Sequence, residues 1–447
     1  MSIVRVFIYV LIILSSCLLC SCSTTYQTTT YNEPPKGADS LEIHEGILSQ
    51  TAQRIKYKKD GKTIATIELS EPVMVAMAEQ EEPWGYFQFP SVGKTNDGTV
   101  RVSWQMAADS HTAYGKRSDR KSKPMMTNNG GRTWKPFDNT KAFKTKGYNV
   151  YLRDGSSLHV STQATKNVKT FQNPPKVIAK DKTYTYYLEK DLPDEVRGFY
   201  LNKIDKDGRS TMVHAKLNDP GLLRYAINDE LPIIWWGDIK ELADGFLVAG
   251  VYPTNYLDES GNITRGGVSF YQSKDKGQTW EVISRIPFRY DGIAEIRGNK
   301  SYDEPAFEVL TDSTFICVMR TGATSPLYRM FSKDMGRTWT TPEPFTPNGV
   351  KPCLMQLQNG ALVLASGRPG VQIRVSFDGG YQWTEAIDMV PFMKEDGSFK
   401  WDVSCGYASI IDAGNNSFYL AYSDFTTKDK EGNTRKSIWF RKVTIKK

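Results

Sequence analysis

One eight-residue pattern, Ser-x-Asp-x-Gly-x-Thr-Trp, recurs along this chain, and it narrows the possible folds more than any other feature. It stands as Ser273-Lys274-Asp275-Lys276-Gly277-Gln278-Thr279-Trp280 and again as Ser332-Lys333-Asp334-Met335-Gly336-Arg337-Thr338-Trp339. A third copy begins at Ser376 and ends at Trp383, with Gln382 in the Thr place; a fourth begins at Thr127 and ends at Trp134, with Asn129 in the Asp place. The chemistry suits a tight turn between strands. The Asp or Asn side chain bonds backbone N–H groups ahead of it, Gly takes positive φ, and Trp folds back over the turn.

Between these turns lies a second repeat: a β-type run, a polar turn and another β-type run. The copies are Pro90–Gln105, Val150–Ser161, Gly237–Tyr252, Pro305–Arg320, Pro352–Gly367 and Ala408–Ser423, turning at Asp-Gly, Asn-Gly, Asp-Ser or Asn-Asn. Such turns between apolar, β-branched runs are the strongest short hairpin signal. No helical period of useful length intervenes, so an α/β arrangement is excluded. The expected fold is all-β, a six-bladed β-propeller, since six blades of about 65 residues fill a domain of this size. The stretch from Val150 to Ala215 has no clear copy of the turn, and a long insertion or a degenerate blade is expected there.

The N-terminus reads differently. Arg5 precedes the apolar run Val6–Leu14, and small residues and cysteines follow, as in an export signal. The run is too short for a convincing membrane span. Leu19-Cys20-Ser21-Cys22 and Leu14-Ser15-Ser16-Cys17 both resemble a bacterial lipobox, so lipidation at Cys22, or alternatively at Cys17, is expected. The expected organisation is a signal and lipobox over 1–22, a flexible tether over 23–40 and the propeller over 41–447. That places the protein in the bacterial cell envelope, anchored in the outer membrane by lipid, or else secreted. Only Cys317, Cys353 and Cys405 lie beyond the signal region, too few for a disulfide framework. A net charge of +7 over 447 residues, with no basic block, argues against nucleic acid as a partner. A monomer acting on glycans is expected. No metal-ligand spacing, nucleotide-binding glycine motif or Ser/His/Asp signature is present, so no cofactor or metal is expected.

The eight-residue turn resembles the Asp-box of sialidases and related BNR-repeat propellers, and the likeness extends to possible site residues. Asp303-Glu304-Pro305-Ala306 runs on to Cys317-Val318-Met319-Arg320, similar to a sialidase segment in which an acidic residue opens a hairpin and an arginine closes it. Gly406-Tyr407-Ala408-Ser409-Ile410 resembles the segment that carries the sialidase nucleophilic tyrosine. The resemblance covers roughly Trp84 to Phe425. It implies Tyr407 as nucleophile and Glu304 as the base that takes its proton. A phenol suits an anomeric carbon bearing a carboxylate, which would repel an anionic nucleophile. Arg320 and Arg368, with Arg374 in reserve, would fork the substrate carboxylate. The loop after the first hairpin offers Asp109 as general acid, with His111 as its competitor. Asp238 is a further candidate for the pocket.

One departure bears on the substrate. Where sialidases carry an Arg-Ile-Pro motif, this chain has Gln88-Phe89-Pro90. Gln88 brings no charge, so one of three carboxylate-binding arginines is missing. Either another cation such as Arg117 or Arg120 fills in, or the sugar differs, a neutral sugar or a uronic acid fitting Gln88 better. The sequence thus points to an exo-acting glycoside hydrolase of the sialidase-like superfamily. The alternatives are a carbohydrate-binding propeller without turnover and a polysaccharide lyase on a similar scaffold.

Overall fold

The computed structural model describes residues 27–28, 46–59, 61–95, 97–109, 124–137, 144–145, 149–289, 291 and 298–447. Within them the chain is a β-propeller of antiparallel meanders, with only three single-turn 3₁₀ segments and no α-helix. Among the described residues no helix is long and apolar enough to cross a membrane. Every hairpin expected from the sequence is paired: Tyr86–Lys94 with Val100–Met106, Asn149–Tyr151 with Ser157–Ser161, and Trp236–Glu241 with Leu247–Tyr252. Gly298–Val309 pairs with Phe315–Gly322, Val350–Gln356 with Leu362–Gly367, and Ala408–Gly414 with Ser417–Lys428. Each hairpin is extended outward by a third strand, such as Gly267–Ser273, Leu327–Ser332 or Val371–Ser376.

The eight-residue turns lead out of these third strands. Ser273 Oγ donates to Asp275 Oδ1 at 2.8 Å and accepts from Gly277 N at 2.8 Å, while Asp275 Oδ1 also accepts from Thr279 N at 2.9 Å. The Trp280 indole N–H then donates back to the Gly277 carbonyl at 3.0 Å. The other three copies repeat the loop-back, with Trp Nε1 at 2.9–3.0 Å from the glycine carbonyl. Each tryptophan meets an aromatic ring of the preceding meander: Trp134 on Phe440, Trp280 on Phe199, Trp339 on Phe270 and Trp383 on Phe345. The glycine is required twice over. At Gly380 φ is +98°, and a Cβ would stand 2.3 Å from Ile316 of the neighbouring meander. A motif that looks local in the sequence therefore fastens one meander to the next.

The insertion expected after Val150 is present. Gln163–Asn167, Val177–Lys180 and Tyr184–Leu188 join Leu222–Ile227, Glu230–Ile233, Asn255–Leu257 and Ile263–Thr264 in a separate sheet. Its own small core is Val168, Tyr187, Leu192, Val196, Ala226, Leu231 and Ile233. The stretch read as a tether is not wholly unpaired, for Gln27–Thr28 pair in parallel with Ser284–Arg285. The reason is the outer edge of Thr279–Pro287, whose backbone groups are open to an added strand. The lipobox cysteines Cys17 and Cys22 lie outside the described residues.

The ring is closed by the two ends of the domain. Val73–Met77 and Lys62–Leu69 both pair with the C-terminal strand Thr434–Lys446. Arg441, fully buried on that strand, donates to the carbonyls of Ser49, Thr51 and Ser70 at 2.5–3.0 Å. A guanidinium so placed satisfies several backbone acceptors of an otherwise irregular segment. Replacing Arg441 by Met removes these donors and leaves the carbonyl of the buried Ser49 unpaired. The expected loss is about 3 kcal/mol of stability, read as a lower urea midpoint. An unchanged midpoint would show that the clamp contributes nothing.

Candidate active site

Three X-Pro dipeptides lie within inner strands, and each marks the same local irregularity. Gln88 faces Gln105 and Ser91 faces Ser103, so three residues on one strand span two on the other, a bulge centred on Phe89-Pro90. The same slip occurs at Glu304-Pro305, between the pairs Asp303–Arg320 and Ala306–Val318, and at Lys351-Pro352, between Val350–Gly367 and Cys353–Ala365. Proline has no N–H to give the ladder and so sits at such bulges without loss. The residue before it takes positive φ in each case: Phe89 +50°, Glu304 +50° and Lys351 +43°. For non-glycine residues that conformation costs about 1–3 kcal/mol each and clusters at functional sites. The bulges break strand alternation and place Phe89, Glu304 and Lys351 around one cavity.

That cavity, of about 570 Å³, is also lined by Asp238, Lys240, Tyr225, Tyr252, Asp109, Cys353 and Tyr407. Its size suits a small ligand. At its centre the Tyr407 hydroxyl donates to Glu304 Oε1. Arg320 Nη1 lies 3.2 Å from Glu304 Oε2 and 3.5 Å from the Tyr407 oxygen. The backbone N–H of Lys351 donates to the same Glu304 oxygen at 2.9 Å, and Arg320 Nε is fixed by the Gly322 carbonyl at 2.9 Å. Phe89 meets the Tyr407 ring edge-on, with centroids 4.7 Å apart. Gly367 and Gly406 bring the neighbouring meanders together here: a Cβ on Gly367 would lie 2.0 Å from the Gly406 carbonyl oxygen.

Burial works against a charge on Glu304, yet Arg320, then Lys351 and the Tyr407 hydrogen bond outweigh it and hold the carboxyl below its usual range. Burial likewise opposes the charge on Arg320, and Glu304 and Tyr407 more than restore it, so the guanidinium is held more firmly protonated. Arg368 is pushed the other way, first by burial and then by the like charge of Arg320. Two guanidiniums that repel each other beside a phenol form a place where an anion is welcome.

The structure thus brings together Tyr407, Glu304 and Arg320, with Arg368 close enough to feel all three. Asp238 also lines the cavity, where it is buried and paired with Lys240 at 2.9 Å, its other contact being the Phe307 N–H. Asp109 is at the rim, where it is exposed and accepts from the Trp84 indole N–H at 3.0 Å. Two expectations are corrected. Gln88 does not line the cavity: it is fully buried and neither end of its amide has a protein partner, because the bulge turns Phe89 inward instead. Arg374 is on the third strand, Val371–Ser376, where its guanidinium faces the Thr384 carbonyl, away from the axis. His111, Arg117 and Arg120 lie outside the described residues. Sequence reasoning missed Lys240, Lys351, Tyr225 and Tyr252. The X-Pro repeat, Phe89-Pro90, Glu304-Pro305 and Lys351-Pro352, was the signal that could have found Lys351. Among the described residues no group of His, Cys, Asp and Glu is arranged to hold a metal ion.

A BNR repeat-like domain is matched over residues 233–420, the stretch that contributes Asp238, Glu304, Arg320, Lys351 and Tyr407. No curated protein matches the chain. Among solved structures, a Dyadobacter fermentans protein of unknown function superposes with a TM-score of 0.55 at 17% identity, covering 85% of this chain and 99% of its own. The Hadza microbial sialidase Hz136 gives 0.46 at 16%, covering 87% and 71%, and the Penicillium chrysogenum α-L-arabinanase complexed with arabinobiose gives 0.44 at 13%, covering 83% and 98%. The first of these shows a shared fold.

The lowered Glu304 carboxyl has a consequence for acid stability. Between the ordinary glutamate value, about 4.3, and its own lower one, the unfolded chain binds a proton that the folded chain does not. Stability from this charge is complete above that window and is lost as pH falls through the folded value. Glu304→Gln is expected to flatten the fall of stability with acid in that range, measured as urea midpoints from about pH 5 to about pH 2.5. Parallel curves for the two proteins would contradict the assignment.

Proposed function

We propose that this chain is an exo-acting glycoside hydrolase of the sialidase-like kind, built as a six-bladed propeller with Asp-box turns and working on glycans outside the cytoplasm. One observation carries the reading: Tyr407 and Glu304, from two separate hairpins, line one cavity and are joined there by a hydrogen bond, with Arg320 bonded to both from behind. A lectin has no need of a phenol sharing its proton with a buried carboxylate.

In this reading the Tyr407 oxygen attacks the anomeric carbon and its proton passes to Glu304. Asp109 gives a proton to the departing glycosidic oxygen. In the second half water attacks the glycosyl-tyrosine, Asp109 takes the water's proton, and the phenol leaves with the proton held by Glu304. Arg320 and Arg368 hold an acidic group of the sugar, and Arg320 steadies the phenolate that forms. Phe89 and Pro90 supply an apolar wall where the resemblance would put a third arginine. The favoured donor is therefore an acidic sugar gripped by two cations, with an apolar face or substituent toward Phe89.

The test is turnover by the purified domain on aryl sialosides, other 2-keto-acid glycosides, uronides and neutral 6-deoxy glycosides. Tyr407→Phe should lower kcat on the accepted substrate by at least about 100-fold and leave the thermal midpoint within a few degrees. Activity surviving in Tyr407→Phe would remove it as nucleophile. No turnover on any substrate would leave a binding protein, and a product absorbing as a new carbon–carbon double bond would indicate a lyase.

The same reading holds the monomeric domain at the cell envelope by lipid on Cys22 or Cys17, supported by the apolar run and the lipobox-like residues. Replacing both cysteines by Ser should move the protein from the membrane pellet to the soluble fraction. Retention in the pellet would refute the anchor.

A further inference from the structure

Trp84 is an exposed tryptophan, with 44% of its surface open, yet it is not loose. Its indole N–H is taken by Asp109 Oδ2 at 3.0 Å. Phe425 meets the ring edge-on, with centroids 6.4 Å apart at 88°. Arg368 and Lys436 stand 5.8 and 5.9 Å from the ring centre, and Lys436 is itself fixed by the Pro83 carbonyl at 2.8 Å. The next residue, Gly85, has φ +98°, and a Cβ there would lie 2.2 Å from the Ala107 carbonyl and 2.6 Å from the Asp109 N. The Trp84-Gly85 turn is therefore pressed directly on the loop that carries Asp109.

An indole held rigidly with its N–H satisfied presents only an apolar surface to water, an arrangement with a cost and no folding role on the solvent side. Sugar rings have apolar C–H faces and polar edges, and such a platform with cationic flanks matches both. Its position says which sugar. Asp109 lies on the cavity rim and touches Trp84, whereas Arg368 feels the Tyr407–Glu304–Arg320 cluster on one side and lies over Trp84 on the other. A glycosidic oxygen placed to receive the Asp109 proton has the donor sugar on its cavity side and the leaving sugar on its Trp84 side.

We propose that Trp84, flanked by Arg368 and Lys436, is the platform for the first sugar of the leaving group, so that the natural substrate is an oligosaccharide rather than a simple glycoside. This rests on the hydrolase reading with Asp109 as acid. Trp84 also acts as a positioning residue by holding the Asp109 carboxylate.

The experiment compares each donor sugar as its glycosyl fluoride, whose leaving group has no ring to stack, with an oligosaccharide: sialyl fluoride with 3′-sialyllactose, and α-L-arabinofuranosyl fluoride with arabinotriose. For Trp84→Ala, the loss in kcat/KM on the oligosaccharide should exceed the loss on the fluoride by about tenfold or more, the size seen when an anchoring Trp is truncated. Trp84→Phe, which keeps a ring and loses the N–H that holds Asp109, should recover most of the KM on the oligosaccharide while kcat stays low. Equal losses on fluoride and oligosaccharide, or a Phe variant no better than Ala in KM, would overturn the platform. If the wild-type domain turns over neither pair nor any other glycoside of the panel above, the hydrolase reading fails by itself. Calorimetric binding of 3′-sialyllactose and arabinotriose then decides: weaker binding to Trp84→Ala than to wild type supports the platform, and equal or absent binding overturns it.

Discussion

The site depends on ring closure. Glu304 and Lys351 lie at bulges in two inner strands and Tyr407 immediately precedes a third, and nothing in any one meander holds them in register with the others. Their geometry is set by how the meanders are locked around the axis. The final lock is the pairing of Val73–Met77 and Lys62–Leu69 with Thr434–Lys446, backed by Arg441. Phe440 on that closing strand is also the ring on which Trp134 of the first turn packs. Closure thus joins the last sheet both to the N-terminal strands and to the first meander, and it removes the open edge a row of β-meanders would otherwise present.

On that rigid frame the inner strands store strain locally. Positive φ at Phe89, Glu304 and Lys351 would relax if the strands could slide by one residue, but a slip would move every core side chain to the wrong face. The frame holds the bulges, and the bulges set the chemistry. Glu304 is buried, which alone would neutralise it; Arg320 and the Lys351 N–H keep it charged and therefore able to receive a proton from Tyr407. The three groups act as one unit, so the effects of changing two of them should not add.

Much of this was legible in the residues. The four eight-residue turns and the six hairpins were readable because both are local, fixed by Gly, Asp and Asn conformations within a few positions. Glu304, Arg320 and Tyr407 were found through their motif, and the structure brings them into contact. Gln88 and Arg374 failed for a physical reason: which way a side chain points depends on bulges and strand rank, and neither has a clear signature in a single residue. The inserted sheet could be anticipated as an insertion but not as a sheet, since its strands come from three separate stretches of chain. Tyr225 reaches the cavity from that sheet, a long-range consequence no local pattern contains.

Phe89 gives the cavity an apolar wall beside its charged groups. Around Tyr407, Arg320 is compensated by Glu304, while Arg368 forms no salt bridge among the described residues and feels the like charge of Arg320. Lys240 is spent on Asp238 deeper in the cavity. In the proposed reading Arg368 and Arg320 together grip a single anionic group of the donor. Phe89, half-buried and edge-on to the Tyr407 ring, meanwhile puts an apolar surface beside the phenol. In that reading selectivity would come from the wall as well as the forks: a donor that presents a hydroxyl to Phe89 would lose hydration without a partner, and one that presents C–H would not.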